Sequence, residues 1–293
     1  MTENKKKIWG GLLPTPLEQQ KFSFGAVFGY PKVEELPDEF LIGEPIEIKN
    51  QNIPSPSFVC VAESLCAVSE YQEAVALEPA FTIKLISELE GDPNWVWRGT
   101  SLDKGAKASL KGFLERKESP LSVEKDGLNK VAEPKNWSSA YTAMAEKHKK
   151  QDYFWIGVSG KLKMFDAIRS AMWRFKDEKR AIQTGIIWNV FWEDIVFIDK
   201  ETTEAGGHAI AIIGWKGDYL KIQNSIGMIG ENGCQWIHKD LVNRLFKFGA
   251  LMYMDMPSGE TKESVLEKSK WFRASWLGKL LLLIQKYVAE IFS

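Results

Sequence analysis

Apolar residues recur at helical spacing through "CVAESLCAVSEYQEAV", which starts at Cys60, and again through "PAFTIKLISELE" and "SLDKGAKASLKGFLERK". This predicts a helical region over about residues 60–117. A polar stretch, "SPLSVEKDGLNKVAEPKNWSS", reads as a linker, and "MFDAIRSAMWRF" as one further helix. The period then changes. "AIQTGIIWNVFW", "HAIAIIGW", "YLKIQNS", "GCQWIH" and "ALMYMDM" are short runs rich in β-branched and aromatic residues, the signature of strands in series. Helices followed by strands argue an α+β fold of two lobes, with the cleft between them as the natural site. Trp95, Trp97 and Trp137 are expected in the core.

The ends of the chain read differently. Residues 1–36 mix Gly, Pro and charge without a sustained period and suggest an extended arm over a domain of residues 37–257. Within that domain the helical lobe is taken as about 50–135 and the β lobe as about 150–257. Residues 258–293 predict an amphipathic helical tail. Its apolar face carries Phe272, Trp276, Leu280, Leu283, Ile284, Tyr287, Val288 and Ile291, and Ser275, Lys279 and Lys286 lie outside that face. So wide an apolar face calls for a protein partner or self-association, with packing on its own domain as the alternative. Few Lys and Arg on the polar face argue against a membrane surface.

Composition narrows the class. The chain has 293 residues, 44% of them apolar, enough for one large core or two cooperating lobes. Lys and Arg number 38 against 39 Asp and Glu, and no basic stripe alternates with aromatics, so no nucleic-acid partner is expected. Three cysteines do not make a disulfide framework, and the first residues lack the apolar region of a secretory signal. A reducing compartment such as the cytoplasm is therefore expected. No run reaches the ~18 apolar residues of a membrane span.

The chemistry falls on a cysteine. Neither a G-x-S-x-G elbow nor a phosphate loop nor a CxxC pair occurs. Cys234 and His238 are too few to hold a metal, so neither metal nor cofactor is expected. Cys60 opens a predicted helix, where the macrodipole and free N–H groups favour a thiolate, whereas Cys66 falls in mid-helix and reads as core. His208 and Asn224 sit in strand-like runs. A lone strand histidine would read as core, but a nucleophilic cysteine with a distant His and Asn makes acyl-transfer chemistry available.

Three stretches, "LPDEF", "KNQNIPSPSFVCVAESLCAVSEYQ" and "GHAIAIIGWKGDYLKIQNSIGMIGENG", resemble the papain-like cysteine peptidases, from about Leu36 to Met256. The lineage it resembles is the one found in bacteria and their viruses. The resemblance implies a two-lobed α+β fold with an antiparallel, barrel-like β lobe, and a thiol protease acting on a polypeptide substrate. It implies Cys60 as nucleophile, His208 as base and later acid, Asn224 as the group that orients the imidazole, and Gln51 as an oxyanion donor. Gly99 and Thr100 would line the substrate wall. Some positions depart from the family's pattern. Gln51 and Cys60 are nine positions apart, a longer turn than the family's, with bulky Phe58 and Val59 before the thiol. Ile226 stands where a shielding Trp is usual, and Glu63 where the Cys helix carries an aromatic. Fewer than forty residues precede "LPDEF", so no inhibitory proregion is expected. Two other uses stay open. One is a catalytically weak module serving a viral particle or bacterial assembly, and the other an acyltransferase with the same triad.

Overall fold

The computed structural model describes residues 11–15, 23–52, 57–157, 162–200 and 206–254. In chain order these form β1 (Leu12–Leu13), α1 (Phe24–Val27), β2 (Glu39–Leu41), α2 (Cys60–Glu73), α3 (Pro79–Glu90), β3 (Thr100–Ser101), α4 (Leu102–Ser109), α5 (Val123–Asp126), α6 (Leu128–Ala132) and α7 (Ser139–Ala145). Next come β4 (Asp152–Ile156), α8 (Met164–Arg174), β5 (Ile182–Trp188), β6 (Phe197–Ile198), β7 (Gly206–Lys216), β8 (Tyr219–Gln223), β9 (Cys234–His238), α9 (Lys239–Leu245) and β10 (Ala250–Met254).

The central helix, α2, is buried on every side from Cys60 to Tyr71. It stops where Ala74 turns left-handed at φ 55° and returns its N–H to the carbonyl of Glu70. α3 begins with Pro79 in its first turn and Glu78 as cap, and ends at left-handed Gly91. The helix predicted from Ser101 onward is shorter than the pattern implied. It ends at Ser109, and Gly112 then turns at φ +105°, where a Cβ would lie 2.1 Å from the Ala145 carbonyl oxygen. The stretch read as a linker holds two short helices, α5 and α6, and leads into α7, because Val123, Leu128, Val131 and Ala132 are buried.

β1 and β3 form a separate two-stranded sheet, and eight strands form one mixed sheet in the order β4-β10-β5-β7-β8-β9-β6, with β2 added on β7. All its pairings are antiparallel except β6 with β9. The barrel-like closure expected of this lobe is not reached, since the outer strands β4 and β6 do not pair with each other. β7 is the spine. It pairs with β5 along Gly206–Ile212, with β2 along Gly214–Lys216, and with β8 on its other edge. α2 packs on β7 and β5, which places the start of the helix beside the first residues of the spine strand. Trp95, Trp155, Trp188, Trp192 and Trp215 are all buried in the core. Of the three tryptophans assigned to the core, Trp95 and Trp137 are buried, whereas Trp97 is exposed and donates its indole N–H to Asn129 Oδ1.

Candidate active site

His208 and Asn224 meet. β7 carries the histidine, and the turn after β8 carries the asparagine, whose backbone N–H donates to the Gly233 carbonyl at 3.1 Å. Asn224 Oδ1 accepts the Ser225 backbone N–H at 2.8 Å and lies 2.8 Å from His208 Nε2. An oxygen already accepting from a backbone N–H must be the acceptor for the imidazole too. This assigns the imidazole proton to Nε2 and leaves Nδ1 basic.

Cys60 is the first residue of α2, and the backbone N–H of Ala209, next to His208, reaches its thiol. Two further ties hold the helix start. Gln183 on β5 donates its amide to the Val61 carbonyl at 2.9 Å and to Ser64 Oγ at 2.8 Å, and β5 runs paired with β7 through Ile186 opposite His208. Burial dominates the electrostatics. It pushes the Cys60 thiol up to about 12, against backbone N–H groups that lower it, and Glu63 adds a smaller upward push. Burial also pushes His208 down to about 4, with the Asn224 hydrogen bond opposing. At neutral pH the two groups rest as thiol and neutral imidazole.

Gln51 is buried with its side chain engaged. Its Nε2 donates to the Ser57 carbonyl at 3.2 Å, and its Oε1 lies 3.4 Å from Ser225 Oγ. Ser57 Oγ donates in turn to the Gln51 carbonyl at 2.6 Å, closing the base of the lengthened turn, and the Gln51 N–H donates to Ser225 at 2.8 Å. Gln51 and Ser57 are thus held together, and the Gln51 backbone stays beside Ser225, next to Asn224.

Gly99 and Thr100 do face a peptide backbone, and it is the chain's own. Thr100 donates its N–H to the Gly11 carbonyl at 2.7 Å, and β1 pairs with β3 in parallel. A Cβ on Gly99 would fall 2.1 Å from that carbonyl oxygen. Across the cleft, a Cβ on Gly207 would lie 2.5 Å from the Leu12 carbonyl oxygen, and one on Gly185 would lie 2.3 Å from the Leu12 side chain. Residues 11 and 12 thus lie in a trough of glycines between the Gly99 wall and the strand that carries His208. Cys60 and His208 are both 0% exposed. The amino-terminal segment was expected to lie as an arm over the domain, and residues 11 and 12 do lie against Gly99 and Gly207. The repeated glycines of the trough were its sequence signal, since backbone can approach closely only where Cβ is absent.

Two further neighbours carried no sequence signal. Trp188 packs its ring 5.6 Å from the His208 ring and is itself buried against Trp192. It stands on β5, far in sequence from Ile226, which is also buried. Ser225 and Ser57 hold Gln51. Glu63 lines a cavity whose walls include none of Cys60, His208 and Asn224. Among the described residues no group of His, Cys, Asp or Glu is placed to hold a metal ion.

No family model and no curated protein matches the sequence. Solved structures do match. Xylellain, a cysteine protease from Xylella fastidiosa, aligns with a TM-score of 0.68 at 19% identity over 88% of this chain and 100% of its own. The bromelain protease from Ananas comosus, solved in complex with the E64 inhibitor, aligns at 0.56 and 14% identity over 75% of this chain and 100% of its own. Procathepsin B S9 from Trypanosoma congolense aligns at 0.55 and 14% identity over 85% and 83%. The fold of this chain is that of the papain-like cysteine proteases.

Proposed function

We propose that the chain is a cysteine peptidase whose triad is Cys60, His208 and Asn224, and that it rests in a latent state with residues 11 and 12 in the cleft. The observation that carries this reading is the hydrogen bond of 2.8 Å from His208 to Asn224, formed beside a cysteine at a helix start. In turnover the Cys60 proton passes to His208 Nδ1 and the thiolate adds to the substrate carbonyl. The imidazolium then protonates the departing amine, and water admitted by the same base hydrolyses the thioester. Asn224 keeps the imidazole in the tautomer this requires. Gln51 and the Cys60 backbone N–H are the candidate donors to the oxyanion.

Displacing the arm restores water and substrate to the thiol, removing the burial that holds both groups neutral. The expected outcome is that iodoacetamide labels Cys60 slowly in the full chain and at least about tenfold faster after deletion of residues 1–22, with Cys66 and Cys234 unlabelled in both. Peptide mapping by mass spectrometry measures it. Equal labelling of all three cysteines overturns the assignment.

A second reading has its own observation. The Gln51 amide is bonded to Ser57 and the thiol is sealed, which suits a binding module of an assembly as well as a latent enzyme. Hydrolysis of a peptide library by the arm-deleted form separates the two. A protein partner, and a cytoplasmic or particle-associated location, belong to this proposal on the sequence grounds given above.

A further inference from the structure

Beside the first turn of α2 lies a cavity of about 290 Å³, lined by Ile48, Lys49, Glu63, Glu78, Arg116 and Leu121, among others, and by none of the triad residues. Glu63 is 4% exposed, its backbone N–H donates to the Val59 carbonyl at 3.1 Å, and among the described residues its carboxyl group has no hydrogen-bond or ion-pair partner. Of the three cations along the cavity, Lys49 and Arg116 are already committed. Lys49 Nζ donates to Glu47 at 2.6 Å, to the Leu77 carbonyl at 3.0 Å and to Glu70, which uses its three N–H groups. Arg116 pairs with Glu47 and, through Nε at 3.3 Å, with Glu78. Four carboxyl groups, Glu47, Glu63, Glu70 and Glu78, therefore share two cations. At the mouth Glu124 and Lys125 oppose each other in sign.

This deficit of positive charge is felt by the acids. Burial pushes Glu63 up to about 8 and Glu70 to about 7, and raises Glu78 as well. A buried carboxyl facing open volume with no donor is a cost unless something supplies one. A bare metal ion does not suit the site, since the described residues place no three ligating groups together. Pro79, Pro120, Leu121 and Val123 add apolar wall along the same cavity, enough to flank a short alkyl stem. An ammonium on such a stem brings one positive charge and three N–H donors in a volume the cavity holds.

We propose that this cavity binds an aliphatic primary ammonium, with Glu63 as its counter-ion. The site is separate from the triad and stands whether or not the chain hydrolyses peptides. Free alkylamines and lysine side chains present the same group.

The test is calorimetric titration of the full chain with n-butylamine, using butanol as the neutral control. Saturable binding is expected for the amine and none for the alcohol. Because an ammonium favours the ionised form of Glu63, binding releases a proton near neutral pH. The heat therefore depends on buffer ionisation, and affinity rises from about pH 6 to about pH 8. Glu63→Gln keeps the shape and removes the charge, and is expected to weaken binding at least about tenfold. If that variant does not fold, the carboxyl carbon resonance of Glu63 in the unaltered chain still decides, since it is expected to move to the ionised position as butylamine is added. Comparison of Nα-acetyl-lysine amide with 1,5-diaminopentane assigns the source, the tighter of the two being the natural form. No saturable heat, equal binding of butanol, equal affinity in Glu63→Gln, or an unmoved Glu63 resonance each overturns the proposal.

Discussion

His208 sits in a place that favours its neutral form, and this has a measurable consequence for stability. Its ordinary value is 6.5, and burial takes it to about 4 in the folded chain. Between those values the unfolded state takes up a proton and the folded state does not. The histidine's contribution to stability is therefore present above about 6.5 and declines as pH falls toward 4. Glu63 and Glu70, held above their ordinary range, act in the opposite sense, so the useful quantity is a difference. The unfolding free energy of the parent minus that of His208→Gln is expected to rise from about pH 4 to about pH 6.5 and stay level above it, as measured by urea titration. A flat difference across that range overturns the assignment of a buried neutral imidazole.

At the scale of elements, the proposed latency rests on the short pairing of β1 with β3. Gly99 holds φ +89° and meets Gly11 at a distance no Cβ tolerates. Gly99→Ala is therefore expected to expel β1 from the cleft. The cost should be about 1–2 kcal/mol of stability for the left-handed residue, and Cys60 labelling by iodoacetamide should accelerate several-fold. An unchanged labelling rate alongside a lowered melting temperature means that the arm is not what seals the thiol. The same element scale explains why Gln51 resisted a sequence reading. Its neighbours Ser57 and Ser225 come from either end of the chain's middle, and only the pairing of segment 49–51 with the Asn224 turn brings them together.

The whole molecule includes the predicted amphipathic tail, which lies outside the described residues. Its apolar stripe motivates the proposal of a protein partner or self-association. Deleting residues 266–293 is expected to leave the labelling rate and the melting temperature of the catalytic domain as they are, while light scattering shows loss of association. A truncated chain that unfolds instead places the helix in the domain's own core.

Apolar spacing and composition together separated helices from strands, because α2 and α3 carry apolar residues at helical spacing, whereas β5, β7, β8 and β9 are short runs rich in β-branched and aromatic residues. The bulk of the α+β architecture and the positions of Cys60, His208 and Asn224 were legible for the same reason: each lies on a regular element or at its end. Tertiary structure alone decided what those residues meet. The Trp188 ring beside His208, the Ser225 partner of Gln51, the backbone of residues 11 and 12 against Gly99 and Gly207, and the cavity beside Glu63 all join segments well separated in sequence. Such contacts follow from how the elements pack, and no local spacing encodes them. The ionisation of the thiol belongs with them, since the helix start that favours a thiolate is local, whereas the burial that overrides it comes from tertiary packing.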